Sequence, residues 1–160
     1  MMMRFRPLSD RSGAALAEAA IALPIILVLF SGIFAFGTTL FNAQVLETAA
    51  RDAARYIAQT NATGADETAA RNIAVYGNTG GAGTARVRGL TAGNVGITYA
   101  TVNNPITNAS TGERTYRAGA TVKIVRVEIT WVSNAAGFWG MFGASPVTYH
   151  AVNRQRVIGG

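Results

Sequence analysis

An α+β fold is predicted: a long N-terminal membrane-spanning helix, a second short helix, and a head built on a small antiparallel β-sheet. Three observations predict it. No charged residue occurs from Ala19 to Leu46, an amphipathic helical pattern continues from Leu46 to Ala58, and after the glycine-rich stretch 77–83 the apolar period falls to two. With 160 residues the chain has room for an anchor and one domain, not for two globular cores.

From Ala19 to Phe36 only Pro24, Ser31 and Gly32 interrupt the apolar run. About 20 residues rising about 1.5 Å each cross a hydrocarbon core of roughly 30 Å, so this segment is long enough to span. A cleavable secretory signal competes with that reading, since Arg4, Arg6 and Arg11 resemble an n-region and Ala35-Phe36-Gly37 a small-x-small site. The run exceeds a usual h-region, and helical sequence continues past the site, which favours a retained anchor. The three arginines ahead of the segment, against Arg51 and Arg55 after it, place the N-terminus in the cytoplasm. Pro24 removes a backbone donor and leaves the carbonyl of Ala20 without its usual partner, so a kink or loosened turn is expected there. Ser31, Ala35, Thr39 and Ala43 form a small-residue stripe that permits close helix approach.

Beyond the lipid, Leu46, Ala49, Ala50, Ala53, Ala54, Ile57 and Ala58 keep one apolar face while Glu47, Arg51, Asp52 and Arg55 occupy the other. Glu47 and Arg51 stand at i,i+4 in the favourable order. A helix from Ala14 to Gln59 would be roughly 69 Å long. Asn61 to Gly64 breaks it, and a second helix is expected from about Ala65 to Tyr76, with Ala69, Ile73 and Tyr76 inward and Gly77 as its stop. Strands are expected at Ala85–Leu90, Val95–Val102, Ala120–Val132 and Val147–Val157. In the third, apolar residues change from even to odd positions between Ile124 and Val125, which predicts a β-bulge. The stretch 103–119 reads as a polar loop. Phe138, Trp139, Met141 and Phe142 form an apolar patch, either a docking surface or a loop folded over the sheet.

Composition narrows function. Cysteine is absent, which removes thiolate metal sites and cysteine nucleophiles. Of the net charge of +6, Arg4, Arg6 and Arg11 against Asp10 supply +2, and the remaining arginines are scattered rather than grouped with aromatics. Nucleic-acid binding is therefore not expected. The glycines of 77–83 lack the Lys-Ser/Thr ending of a phosphate loop. His150 is the sole histidine and no acids stand at ligand spacing to it, so neither a metal, a cofactor nor an active site is expected.

Glu18 is the one charged side chain from Ala14 to Leu46, and it is the fifth residue after Gly13. A carboxylate at the bilayer centre costs roughly 2.5–3.5 kcal/mol, and less toward the edge, so an acid kept here suggests a task in the membrane. Glycine, four residues, glutamate and an apolar helix resemble the cleavage site of type IV pilin-like precursors. Leu23-Pro24, Gly32-Ile33, Phe36-Gly37 and the stretch Ala49-Ala50-Arg51-Asp52-Ala53-Ala54-Arg55-Tyr56 look like the N-terminal region of TadE-like minor pseudopilins of tight-adherence (Flp) pilus systems. The resemblance covers roughly the first third of the chain. It departs from the family pattern at Ala19, where an aromatic is usual, which bears on the efficiency of processing.

The resemblance implies a pilin-like subunit divided into a cytoplasmic leader 1–13, a transmembrane and extended amphipathic helix 14–60, and an α+β head 61–160. It implies cleavage between Gly13 and Ala14 by prepilin peptidase, an aspartyl protease of the inner membrane, followed by pairing of Glu18 with the freed amine. Pro24 would let packed helices bend around one another. Expected partners are the peptidase, other pilin-like subunits and the inner-membrane assembly platform. The product would be structural, serving pilus assembly and surface attachment, with the head periplasmic or extracellular. An unprocessed membrane-tethered binding module of the cell envelope is the alternative, and an anchored enzyme is disfavoured by the missing polar constellation.

Overall fold

The computed structural model describes residues 11–60, 62–115, 119–133, 140, 143 and 146–158, the side chains of residues 11 and 12 excepted. The chain divides into two compact units, residues 1–38 with 135–145, and residues 39–134 with 146–160. Helix α1, Arg11–Gln59, runs through Pro24 and begins ahead of Ala14, because nothing in Arg11-Ser12-Gly13 stops a helix.

In the second unit, the face read from the sequence is the face that is buried. Leu46, Ala49, Ala50, Ala53, Ala54, Ile57 and Ala58 all enter the hydrophobic core. Ala62 turns the chain with φ +54°, and α2, Gly64–Tyr76, starts from a capping box. Asp66 Oδ2 accepts from the Thr63 backbone N–H at 2.9 Å and from its hydroxyl at 2.7 Å, and Thr63 Oγ1 accepts from the Asp66 N–H at 3.3 Å. The hydroxyl and N–H of Thr63 hold the Asp66 carboxyl below its ordinary range. Thr63→Ala should cost about 0.5–2 kcal/mol in urea unfolding, as the loss of an N-cap does. Gly77 ends α2 at φ +79°, its N–H donating to the Ile73 carbonyl, and a Cβ there would meet the Arg86 guanidinium at 3.2 Å.

The inner face of α2 differs from the expectation. Ala70, Ala74 and Val75 are the buried residues, whereas Ala69, Ile73 and Tyr76 are half-buried. Ala70 and Ala74 stand one residue after the expected Ala69 and Ile73, about 100° of helix rotation, while Tyr76 packs against the core from a half-buried position as Val75 beside it is fully buried, and the face chosen brings two alanines into a core already rich in α1 alanines.

Three strands, β1 Val95–Asn103, β4 Thr121–Val132 and β5 Thr148–Arg156, form an antiparallel sheet in the order β1-β4-β5. Between β1 and β4 lies a two-stranded ribbon of β2, Ile106–Asn108, and β3, Glu113–Arg114. The stretch 103–119, read as a polar loop, thus carries its own hairpin, anchored by buried Asn104. The Asn104 N–H donates to Ala120 O at 2.8 Å, its Nδ2 to Gly119 O at 2.9 Å, and its carbonyl accepts from Arg114 at 2.6 Å.

Two further expectations are corrected. The pairing of β4 with both neighbours runs in unbroken register through Ile124 and Val125, so there is no bulge there. Val125, Val127, Ile129 and Trp131 face the core while Val122 is buried outside that cluster, on the opposite face with Ile124. The parity change marks a sheet with apolar cover on both faces at one end. Residues 85–90 are a turn rather than a strand: the Leu90 N–H donates to Val87 O, and Val87 and Leu90, three residues apart, are both buried. A spacing of three puts two side chains inward on a turn, which a strand cannot do. The aromatic patch of Phe138, Trp139, Met141 and Phe142 lies outside the described residues.

Candidate assembly surface

The N-terminal part of α1 exposes every large apolar side chain from Leu16 to Phe36. Each would contribute about 1.5–3 kcal/mol on burial, so the segment together exceeds the roughly 5–15 kcal/mol by which a domain is stable. Such a surface is not left in water. Among the described residues, α1 is the one helix long and apolar enough to cross a membrane. Two of its hydroxyls bond within the helix: Ser31 Oγ donates to Leu27 O at 2.8 Å and Thr38 Oγ1 to Ala35 O at 2.9 Å. Back-bonding of this kind removes the penalty of carrying Ser and Thr into lipid.

Gly13, Ala14 and Glu18 stand on exposed helix at the start of this surface, and Pro24 follows within the apolar run. Ala14 and Glu18 are separated by one turn, so they share a face, about 6 Å apart along the axis. Gly13 is helical, and glycine is the residue that leaves a helix most cheaply, by about 1 kcal/mol relative to alanine. A protease that requires extended substrate would unwind the chain there more cheaply than at an alanine.

In the second unit the structure joins charges that the sequence left apart. Asp52 on α1 meets Arg86 at 2.9 Å, fastening the helix to the turn after α2. Among the described residues Glu47 and Arg51 are not an ion pair; the pairs present are Glu67–Arg71, Asp52–Arg86, Arg126–Glu128 and His150–Glu128. Sequence offered no signal for the Asp52–Arg86 pair, which spans a turn whose course depends on tertiary packing. His150 had no acid near it in the chain, yet β4–β5 pairing brings its Nδ1 to 3.7 Å from Glu128 Oε1. No cluster of three metal-ligating side chains occurs among the described residues.

Tyr99 on β1 packs against the core, with the Lys123 ammonium 4.5 Å from its ring centre. Burial pushes its hydroxyl up to about 12, and the Glu67 carboxylate on α2 adds to the rise. The hydroxyl meets no partner at hydrogen-bond geometry among the described residues, so Glu67 acts as a neighbouring charge. A folded-state value above the ordinary 10.0 means that the stabilising difference is complete below pH 10 and is lost as pH rises toward 12. Alkaline titration followed by tyrosinate absorbance should show a step near pH 12 that Tyr99→Phe removes, with a smaller loss of stability above pH 10 in that variant.

Compared with known proteins, no curated protein and no solved structure matches the chain. Residues 13–55 match the family model described as TadE-like protein, a stretch that opens on Gly13 and closes on exposed Arg55, next to the buried Ala53 and Ala54 of α1. The segment carrying the candidate surface is therefore TadE-like, consistent with a TadE-like protein of tight-adherence pili.

Proposed function

We propose that the chain is a structural minor pseudopilin of a tight-adherence pilus system, not an enzyme. The observation that carries this reading is the TadE-like match beginning at Gly13, on a helix whose exposed apolar surface holds a single carboxylate at its edge. Prepilin peptidase cuts between Gly13 and Ala14 on the cytoplasmic side of the inner membrane. The freed amine of Ala14 lies one turn from Glu18, where the carboxylate neutralises it on the same subunit or on a neighbour. In a low dielectric such a pair is strong once formed, and because two desolvated ions must be offset, it forms only where the geometry is right. The pair thereby fixes the axial register between subunits. The head faces the periplasm or the exterior, and the subunit joins other pilin-like subunits at the inner-membrane assembly platform, in support of surface attachment.

Mass spectrometry of the protein extracted from membranes of peptidase-positive and peptidase-negative cells tests the reading. A chain beginning at Ala14 in the first and an intact leader in the second is the expected result. An intact leader in both would favour a membrane-tethered binding module, and cleavage after Gly37 a secreted one.

A further inference from the structure

The geometry points to the outer face of the sheet, the one turned from the core, as a docking site for an acidic polypeptide surface. Register pairs Arg126 on β4 directly with Arg154 on β5, and Ile124 with Arg156 in an adjoining row. Directly opposed side chains on neighbouring strands are about 5 Å apart, and like charges so placed are destabilising. Among the described residues only Glu128 answers them: it meets Arg126 at 2.9 Å and its other oxygen lies 3.7 Å from His150 Nδ1. Neither Arg154 nor Arg156 has an acidic partner among the described residues, and Arg126 Nε is buried with no hydrogen-bond acceptor among them. The sheet carries an unfavourable pairing whose cost an incoming carboxylate would reverse.

The rest of the face selects the class of partner. Trp131, Tyr149 and Tyr99 all stand at odd positions, on the core side, so among the described residues the outer face carries no ring but the His150 imidazole, a small platform for stacking a base. Val152, 44% exposed, stands between the basic residues and lies in register with Glu128. Arginines about an exposed aliphatic side chain have the make-up of a protein interface, and one small valine offers little to a lipid bilayer. Arg154 and Arg156 are alternate residues of one strand, roughly 7 Å apart, the repeat of an extended chain with acids at every second position. The guanidinium fork suits bidentate contact with such carboxylates.

The test uses the full chain in detergent and, as probe, a fluorescein-labelled Glu-Thr repeat peptide of about ten residues, read by anisotropy at low and moderate salt. Saturable binding that weakens with salt is expected, with a loss of about tenfold or more in the Arg154→Gln/Arg156→Gln double variant and about twofold or less in Arg88→Gln, an exposed arginine outside the sheet. Arg154→Lys/Arg156→Lys, which keeps charge but removes the forks, should fall between. The first double variant should unfold no more readily than wild type, since it relieves repulsion. Absence of saturable binding, an equal loss in Arg88→Gln, or equally tight binding of oligo-dT or of phosphatidylglycerol nanodiscs would each overturn the proposal.

Discussion

Glu18→Ala is expected to leave cleavage after Gly13 intact while abolishing incorporation of the subunit into pili. On the proposed function the peptidase would act on the bond before Ala14, and it would need a flexible glycine there and an accessible backbone, neither of which the variant changes. Assembly is different. The freed ammonium of Ala14 would enter an apolar, packed environment with no counter-charge, because no other acid occurs from Ala14 to Leu46. Leaving one member of a buried pair alone typically costs about 3–5 kcal/mol, a factor of more than a hundred in association at each subunit contact. Glu18→Gln should fail in the same way, since it keeps size and loses charge, whereas Glu18→Asp should retain partial assembly. The readouts are the mass of the membrane-extracted chain and the amount of pilus material sheared from cells. Normal piliation with Glu18→Ala would remove the pairing role.

The helical half of the fold was legible in the sequence because helix periodicity is local. Seven apolar residues from Leu46 to Ala58 lie on one helix stripe, and all seven are buried. Thr63 with Asp66, and Gly77 after Tyr76, are cap signals that depend only on residues a turn away. The face of α2 was less legible, because Ala69, Ala70, Ile73, Ala74 and Tyr76 offer two overlapping stripes of near-equal apolarity, and packing in the shared core decides between them. Strand pattern failed where tertiary structure intervened. Val87 and Leu90 signalled burial correctly but belong to a turn, and Val122 signalled a bulge but is covered from the other side of a regular sheet. The candidate site divides likewise: Gly13, Ala14, Glu18 and Pro24 follow one another along a helix and could be read in order, whereas the Arg126–Arg154 juxtaposition exists only once β4 and β5 are in register.

Ile57→Ala should cost about 2–5 kcal/mol and bring the second unit to the edge of stability. Ile57 is fully buried in the core cluster, flanked on α1 by Ala53, Ala54 and Ala58. Alanines cannot rearrange to fill the space a lost isoleucine leaves, so the cavity persists and its cost adds to the transfer term. The same packing predicts the opposite kind of lesion at Ala53, which has no exposed surface: Ala53→Leu inserts methylenes into a closed interface and should cost about 1–3 kcal/mol. Urea unfolding in detergent, followed by the fluorescence of Trp131, which is buried and donates to Arg88 O at 3.1 Å, measures both. These residues lie at the end of the TadE-like segment and just beyond it, so the alanine-rich stretch that carries the family match has a packing reason independent of the membrane. If Ile57→Ala and Ala53→Leu destabilise the second unit while cleavage after Gly13 is unchanged, the two ends of α1 act separately, one presenting the processing site and the other holding the core. A loss of cleavage in either variant would mean that peptidase recognition reads the folded core as well as the N-terminal helix.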